Sequence, residues 1–141
     1  MRASSRLQVN QSAASVYSFL ADVSNETRWR QSIVGSRYVD ADAPELGVHG
    51  QTDVQMGSRA LTMSWEISHL TVGEYVAWRL DGNPWHGGGS YRVTPVGAGC
   101  EIEACLEVRL RGIARVLEPV IGFSFGRGLR ADLVRLGHLL G

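Results

Sequence analysis

The C-terminal third of the chain combines two patterns of apolar and polar positions. From Gly99 to Arg111, apolar residues alternate with charged ones, and this period of two predicts a strand with one buried face and one wet face. The next segment, Ile113–Leu140, carries an early and a late group of apolar residues, each at helical spacing, which face different ways. Pro119 and three glycines lie between the groups, so the pattern predicts one long helix with a bend or broken turn.

The preceding residues predict a strand, two short helices and then further strands. Residues 3–10 alternate like a strand, and Ser12 is placed to cap a short amphipathic helix. A second helical turn, Ser24–Gln31, carries Trp29. The later strands are predicted at residues 33–41, 48–57, 60–70, 74–81, 89–96 and 100–111.

These elements predict an α+β fold in which a curved sheet wraps around the C-terminal helix. The connections are short, so the seven strands are expected to pair as antiparallel neighbours, and such a sheet twists and curls. The two short helices are expected to close one end. The loop Asp81–Gly89, with three consecutive glycines, predicts a flexible hairpin that forms a lip over a cavity.

Length and charge set broad limits on the class of protein. The 141 residues predict a single domain spanning 1–141. A formal net charge of zero gives no electrostatic basis for binding nucleic acid. The charge is uneven, because residues 111–141 contain five arginines against Glu118 and Asp132. That basic helix is interpreted first as a solvated face, with peripheral contact to an anionic surface as the alternative.

Several kinds of chemistry are absent from the sequence. All fourteen basic residues are arginine, which excludes a Schiff-base lysine and is typical of a GC-rich bacterial genome. No metal ligands have suitable spacing, and neither a metal nor another cofactor is expected. The N-terminus has no apolar signal core and no stretch is long enough to span a bilayer, so a cytoplasmic location is predicted.

The order of elements, with particular residues at particular places, resembles the START-like (helix-grip, SRPBCC) superfamily, and within it the polyketide cyclase/dehydrase and lipid-transport group. The resemblance covers essentially the whole chain. It is carried by residues 12–22 (SAASVYSFLAD), Trp29, Gly47, residues 75–79 (YVAWR), residues 91–95 (YRVTP), residues 111–119 (RGIARVLEP) and residues 133–136 (LVRL). It implies a helix-grip fold with an apolar tunnel, between the sheet and the long helix, that holds a hydrophobic small molecule.

Strand parity selects the residues expected to line that tunnel. Met63 and Trp65 share an inward face of one strand, and Trp78 lies on an inward face of another. Tyr91 is the best polar candidate for orienting a ligand. Phe123 and Phe125, at the predicted helix break, are either core or a cap on the tunnel. Each of these residues could also be ordinary core.

No catalytic constellation is evident, and Tyr91 and His86 are only weak candidates for handling protons. His86 lies in the glycine loop, at the expected mouth of the cavity. Arg79 and Arg92 have the parity of outward, solvated residues.

Three functions remain open. The leading hypothesis is a protein that binds or carries a lipid, quinone or polyketide-like molecule. The second is a polyketide cyclase/dehydratase, and the third is a protein-interaction module without a ligand. An inward Tyr–His or Tyr–Arg pair in a deep pocket would favour the enzyme, an entirely apolar pocket the carrier, and a solid core the interaction module. The ligand's identity and the oligomeric state, including a homodimer, stay open.

Overall fold

The fold predicted from the sequence is confirmed: seven antiparallel strands form a curled half-barrel sheet next to a long C-terminal helix. The structure is a computed structural model that describes residues 1–81 and 85–141, without the side chains of residues 56, 81, 85, 113, 114 and 117–126. Among the described residues, no helix combines the length and apolar character needed to cross a membrane.

The strands follow one another around the sheet, except that the first lies beside the last. Their order is β1-β7-β6-β5-β4-β3-β2. The strands are β1 (Arg2–Val9), β2 (Ile33–Tyr38), β3 (His49–Met56), β4 (Arg59–Thr71), β5 (Tyr75–Asp81), β6 (Trp85–Val96) and β7 (Gly99–Leu110). Strands β2 and β1 are therefore the two edges of the sheet.

Two short helices lie between β1 and β2. Helix α1 (Ala13–Ala21) begins at the predicted cap, where the Ser12 hydroxyl accepts a hydrogen bond from the Ser15 N–H. A 3₁₀ turn, Val23–Asn25, then leads into the single turn of α2 (Glu26–Trp29). The Trp29 side chain is almost completely buried, so this short helix is anchored by its aromatic residue.

The C-terminal helix differs from the predicted interrupted helix. A 3₁₀ segment, Gly112–Leu117, precedes α3 (Glu118–Leu140), and α3 continues as one helix without interruption. The irregular part thus comes before Pro119, which is tolerated in the first turn of a helix because the N–H it lacks would have no partner there. Val116, from the early apolar group, is 74% exposed, whereas the late group packs inward.

The core lies between α3 and the concave face of the sheet. Helix α3 packs against β1, where Gly137 allows the helix to approach Leu7 closely. The late apolar stripe of α3 is buried, as are the inward residues of β7. These residues are Leu129, Leu133, Leu136 and Leu140 from the helix, and Cys100, Ile102, Ala104, Leu106, Val108 and Leu110 from the strand.

The prediction of a flexible loop at the three glycines is wrong. Gly87, Gly88 and Gly89 lie within β6 and pair with both β5 and β7. A Cβ atom at Gly89 would lie 2.5 Å from the Trp78 ring. The glycine is therefore needed where an indole ring lies on the neighbouring strand, not for loop flexibility. The turn at residues 82–84 lies outside the described residues.

Candidate functional site

A cavity of about 350 Å³ separates part of the sheet from helices α2 and α3. Its walls are mainly apolar and come from the concave faces of β4, β5 and β7. The apolar lining includes Leu20, Ile33, Met63, Trp65, Ile67, Val76, Trp78, Leu80, Leu106, Val108 and Leu129. The volume falls within the range of about 300–1,000 Å³ that is typical of small-molecule pockets.

The lining residues that are exposed to solvent mark the mouth of the cavity. These are Ser32, Gln55, Leu61 and Gly128. Gln55 and Leu61 belong to the β3–β4 hairpin, whereas Gly128 lies on α3. A Cβ atom at Gly128 would have no neighbour within 4 Å, so the mouth has open space at this position.

Four of the predicted site residues line this cavity: Met63, Trp65, Trp78 and Tyr91. Strand parity had placed all four on inward faces, and ligand contact at these residues stays a prediction. The side chains of the other two, Phe123 and Phe125, lie outside the described residues. Arg79 and Arg92 are exposed, as expected, and Arg79 donates a hydrogen bond to Glu66.

Trp65 is held in one orientation by a buried polar chain. Its indole Nε1 donates to Thr52 Oγ1 at 2.9 Å, and Thr52 Oγ1 lies 3.0 Å from Ser36 Oγ. The ring lies over the backbone of Gly50, where a Cβ atom would be only 2.1 Å from it. Glycine and threonine on β3 thus fix one aromatic wall of the cavity.

The deep side of the cavity carries charged side chains, which the sequence analysis did not predict. Arg30 lies between two carboxylates, with its Nη1 3.4 Å from Glu26 Oε2 and its Nε 3.7 Å from Asp132 Oδ2. All three side chains are at most 14% exposed, and all three line the cavity. Asp132 Oδ1 also accepts hydrogen bonds from the Gln31 N–H and from Arg135 Nη1.

Burial and charge act in opposite directions on these groups. Burial raises the pKa of Glu26, and the negative charge of Asp132 raises it further, while Arg30 lowers it. For Arg30, burial lowers the pKa, but Tyr91, Glu26 and Asp132 together more than reverse that effect. The guanidinium therefore stays charged inside the protein.

Tyr91 completes this charged end of the cavity. Its ring packs between Trp29 and Trp78, with centroid distances of 5.8 and 5.0 Å. Its hydroxyl is buried beside the Arg30 guanidinium, whose Nε is also buried and faces Asp132 at 3.7 Å. Burial raises the pKa of Tyr91 well above its ordinary value, although nearby Arg30 opposes this, so the phenol is neutral at physiological pH.

His86 lies away from the cavity, contrary to its expected place at the mouth. It belongs to β6 and pairs with Asp81 and Arg109 on the neighbouring strands. Side chains alternate along a strand, so His86 faces the outside of the sheet while Tyr91 faces the inside. Its Nδ1 accepts a hydrogen bond from Arg111 Nε at 3.3 Å.

The sequence does contain a signal for the cluster of Glu26, Arg30 and Asp132, although the cluster was not predicted. Asp132 lies three residues after Leu129 and one before Leu133, so it falls on the apolar face of the helix. An acidic residue at such a position predicts a buried partner. Glu26 and Arg30 are four residues apart, which is the spacing of an ion pair on one helix face.

Comparison with known protein families gives one match over nearly the whole chain. The family model described as polyketide cyclase/dehydrase and lipid transport matches residues 2–141. No curated protein sequence shows significant similarity to the chain.

Solved structures of similar fold include proteins with cyclase names. The Zhui aromatase/cyclase from Streptomyces sp. R1128 is 14% identical, with a TM-score of 0.77, and the match covers 99% of this chain and 93% of that one. A START superfamily protein from Mycobacterium smegmatis is 15% identical, with a TM-score of 0.68 and coverage of 99% of both chains. The di-domain ARO/CYC BexL from the BE-7585A biosynthetic pathway is 19% identical, with a TM-score of 0.73; the match covers 98% of this chain and 45% of that one. At these identities the likeness concerns the fold.

Proposed function

The chain belongs to the polyketide cyclase/dehydrase and lipid transport family, and we propose that it binds and carries a hydrophobic small molecule in the cavity beside α3. The observation that carries this proposal is a cavity of about 350 Å³ with mostly apolar walls, next to Trp65 and Trp78. A solid core at this place would have favoured the protein-interaction module. A lipid, a quinone or a polyketide-like molecule has the required apolar surface.

The walls suit a flat or flexible apolar ligand. Trp65 and Trp78 offer large aromatic surfaces, and Met63 provides an adaptable side chain beside them. Trp65 is fixed by its hydrogen bond to Thr52, so this wall needs little rearrangement when a ligand binds. The expected cytoplasmic location and anionic-surface contact remain predictions.

A second function, cyclisation or dehydration of an aromatic polyketide, is favoured by one observation. Tyr91 and Arg30 lie together at the buried end of the cavity, and this is the Tyr–Arg pair expected of the enzyme. A neutral phenol and a fixed guanidinium can both stabilise negative charge that develops on a carbonyl oxygen. If the cavity also holds a flexible polyketide in a folded conformation, it would bring the reacting carbons of that polyketide together.

Native mass spectrometry of the protein purified from its source tests the binding function. We expect one reproducible hydrophobic molecule to co-purify, and we expect Gly128→Trp to lose it because the indole would fill the mouth. Gly128→Ala is the matched control, because its methyl group meets open space and leaves the mouth clear. Consistently empty protein, with no thermal shift across a panel of lipids, quinones and polyketides, would contradict the proposal.

The chemical fate of the bound molecule distinguishes a carrier from an enzyme. A carrier returns the molecule chemically unchanged after prolonged incubation. A cyclase/dehydratase converts a linear polyketide precursor to a cyclised product with loss of water, over many turnovers per protein. In that case Tyr91→Phe is expected to lower kcat more than it raises KM, because it removes a donor that acts on the reacting oxygen.

A further inference from the structure

We propose that the mouth of the cavity docks on a lipid bilayer with anionic headgroups, through arginines and exposed apolar side chains at one end of the half-barrel. The inference rests on the proposed binding function, because a hydrophobic cargo passes most readily between a protein cavity and another apolar phase. Three features support it: the end at which the cavity opens, the charges at the two ends, and the apolar side chains exposed beside the arginines.

The strand pairing places the cavity mouth at one end of the sheet. Gln55 and Leu61, which line the mouth, belong to the β3–β4 hairpin. Because successive strands are antiparallel, the end of β5, the start of β6 and the end of β7 lie at the same end as this hairpin, and Arg2 of β1 pairs with Glu107 there. The open end of the half-barrel therefore comprises residues 1–2, 32, 55–61, 86, 107–117 and 127–128.

Charge is distributed unequally between the two ends, although the formal net charge of the chain is zero. In the described part of the chain, Glu107 is the only acidic residue of the open end, and it pairs with Arg109. The side chains of Asp81 and Glu118 lie outside the described residues. The arginines of the open end are all exposed: Arg2, Arg59, Arg109, Arg111, Arg115 and Arg127. At the opposite end, the loops 39–48, 72–74 and 97–98 contain no arginine, and their acids are exposed: Asp40, Asp42, Glu45 and Glu74.

This separation of charge orients the protein on an anionic surface. The arginines of the open end are attracted to a negatively charged leaflet, whereas the acids of the opposite end are repelled by it. A guanidinium also donates paired hydrogen bonds to phosphate oxygens, which lipid headgroups present. In this orientation the mouth of the cavity faces the bilayer.

Exposed apolar side chains accompany the arginines. Val116 follows Arg115 directly and is 74% exposed, and Leu61, at the mouth, is 39% exposed. This combination suits the membrane interface, where arginines contact headgroups while apolar side chains enter the boundary of the acyl chains. Val72 at the opposite end is 79% exposed, but it shares its turn with Glu74, which an anionic leaflet repels. An acidic polypeptide would match the arginines alone, so the apolar residues favour the bilayer.

Vesicle flotation at neutral pH tests the proposal. We expect the protein to bind mixed vesicles of phosphatidylglycerol and phosphatidylcholine at least about 10-fold more tightly than vesicles of phosphatidylcholine alone. Raising the salt concentration from about 0.15 M to about 1 M should weaken this binding, because the Debye length falls from about 8 Å to about 3 Å.

A pair of double variants locates the contact at the open end. Arg59→Gln combined with Arg115→Gln is expected to weaken binding to the mixed vesicles about 25-fold, or about fivefold for each arginine lost. Arg6→Gln combined with Arg92→Gln is the matched control, because these two exposed arginines lie outside the open end and the change in net charge is the same. The control is expected to bind like wild type.

A second pair of variants tests the apolar part of the contact. Val116→Ser is expected to weaken binding to the mixed vesicles about 3- to 10-fold, because less apolar surface enters the bilayer. Val72→Ser is the matched control, since that valine is equally exposed but lies at the opposite end, and it is expected to bind like wild type.

The outcomes separate docking from cargo binding. If the protein binds both kinds of vesicle equally or binds neither, docking is overturned, while a hydrophobic molecule that still co-purifies leaves the binding function standing. Equal weakening by the two double variants also overturns docking at the open end. If polyglutamate binds as tightly as the mixed vesicles and Val116→Ser changes neither affinity, the partner is an acidic polypeptide and the bilayer proposal fails. Consistently empty protein that still docks on the mixed vesicles would refute the binding function alone.

Discussion

Replacement of Asp132 tests whether the buried charge cluster anchors the site. The carboxylate is 8% exposed and joins α3 to the segment that follows α2. It accepts hydrogen bonds from the Gln31 N–H at 3.1 Å and from Arg135 at 2.7 Å, and it lies 3.7 Å from Arg30 Nε. Asp132→Ala would remove all three interactions at once.

The structure sets the size of the expected effect. The variant leaves Arg30 buried with one carboxylate and leaves the Gln31 N–H without an acceptor. Breaking one side of a buried ion pair costs about 3–5 kcal/mol, a large part of a free energy of unfolding of about 5–15 kcal/mol. The contribution of Arg135 is smaller because that residue is 41% exposed. Asp132→Asn keeps an acceptor for Gln31, so we expect it to cost about 2 kcal/mol.

Urea denaturation followed by circular dichroism measures these costs, with the m-value as the check on two-state behaviour. Glu66→Ala is the matched control, because Glu66 pairs with Arg79 at 2.9 Å but the two side chains are 33% and 63% exposed. That exposed pair is expected to contribute less than about 1 kcal/mol. Similar losses for Asp132→Ala and Glu66→Ala would refute the claim that burial makes the Arg30 cluster important.

Three further changes test other parts of the structure. Gly50→Ala should destabilise the protein by about 1–3 kcal/mol in the same assay, because its Cβ would lie 2.1 Å from the Trp65 ring, and an unchanged stability would contradict the packing described. Gly128→Ala should stabilise by about 0.5–1 kcal/mol, since alanine favours the helix and its Cβ meets open space; a loss of stability would contradict this. Burial raises the pKa of Glu26 above its ordinary value of 4.5. Between pH 4.5 and this raised pKa, the folded protein keeps a proton that the unfolded chain has lost. The contribution of Glu26 to stability therefore falls as pH rises through that window. Glu26→Gln removes this dependence and should become more stable relative to wild type as pH rises; a pH-independent difference between the two, measured by thermal melts, would contradict it.

Local patterns were sufficient for most of the fold. Alternation along residues 100–111 predicted β7, and the leucine spacing of the last helix predicted its buried stripe. The same alternation placed Trp65, Trp78 and Tyr91 on inward faces, where they line the cavity. A strand's parity depends only on neighbouring residues, so these features could be predicted before any contact was known.

Two local interpretations were overridden by neighbours distant in sequence. Gly87–Gly89 looked like a loop because glycine weakens a strand, yet all three pair within the sheet, and Gly89 makes room for the Trp78 indole. His86 consequently lies on the outer face and not at the mouth of the cavity. Propensity describes a residue in isolation, whereas the strand is stabilised by pairing on both sides.

The sequence by itself determined the sheet, its terminal helix, the aromatic wall of the cavity and the family resemblance, because each of these depends on spacing and order along the chain. Only the tertiary structure decided where the charges lie. Asp132 is more than one hundred residues from Arg30 and Gln31, and α3 brings them together at the deep end of the cavity. Burial then turns side chains that composition counts as ordinary surface charge into a fixed group, because a charge removed from water must be held by partners that the fold alone can supply.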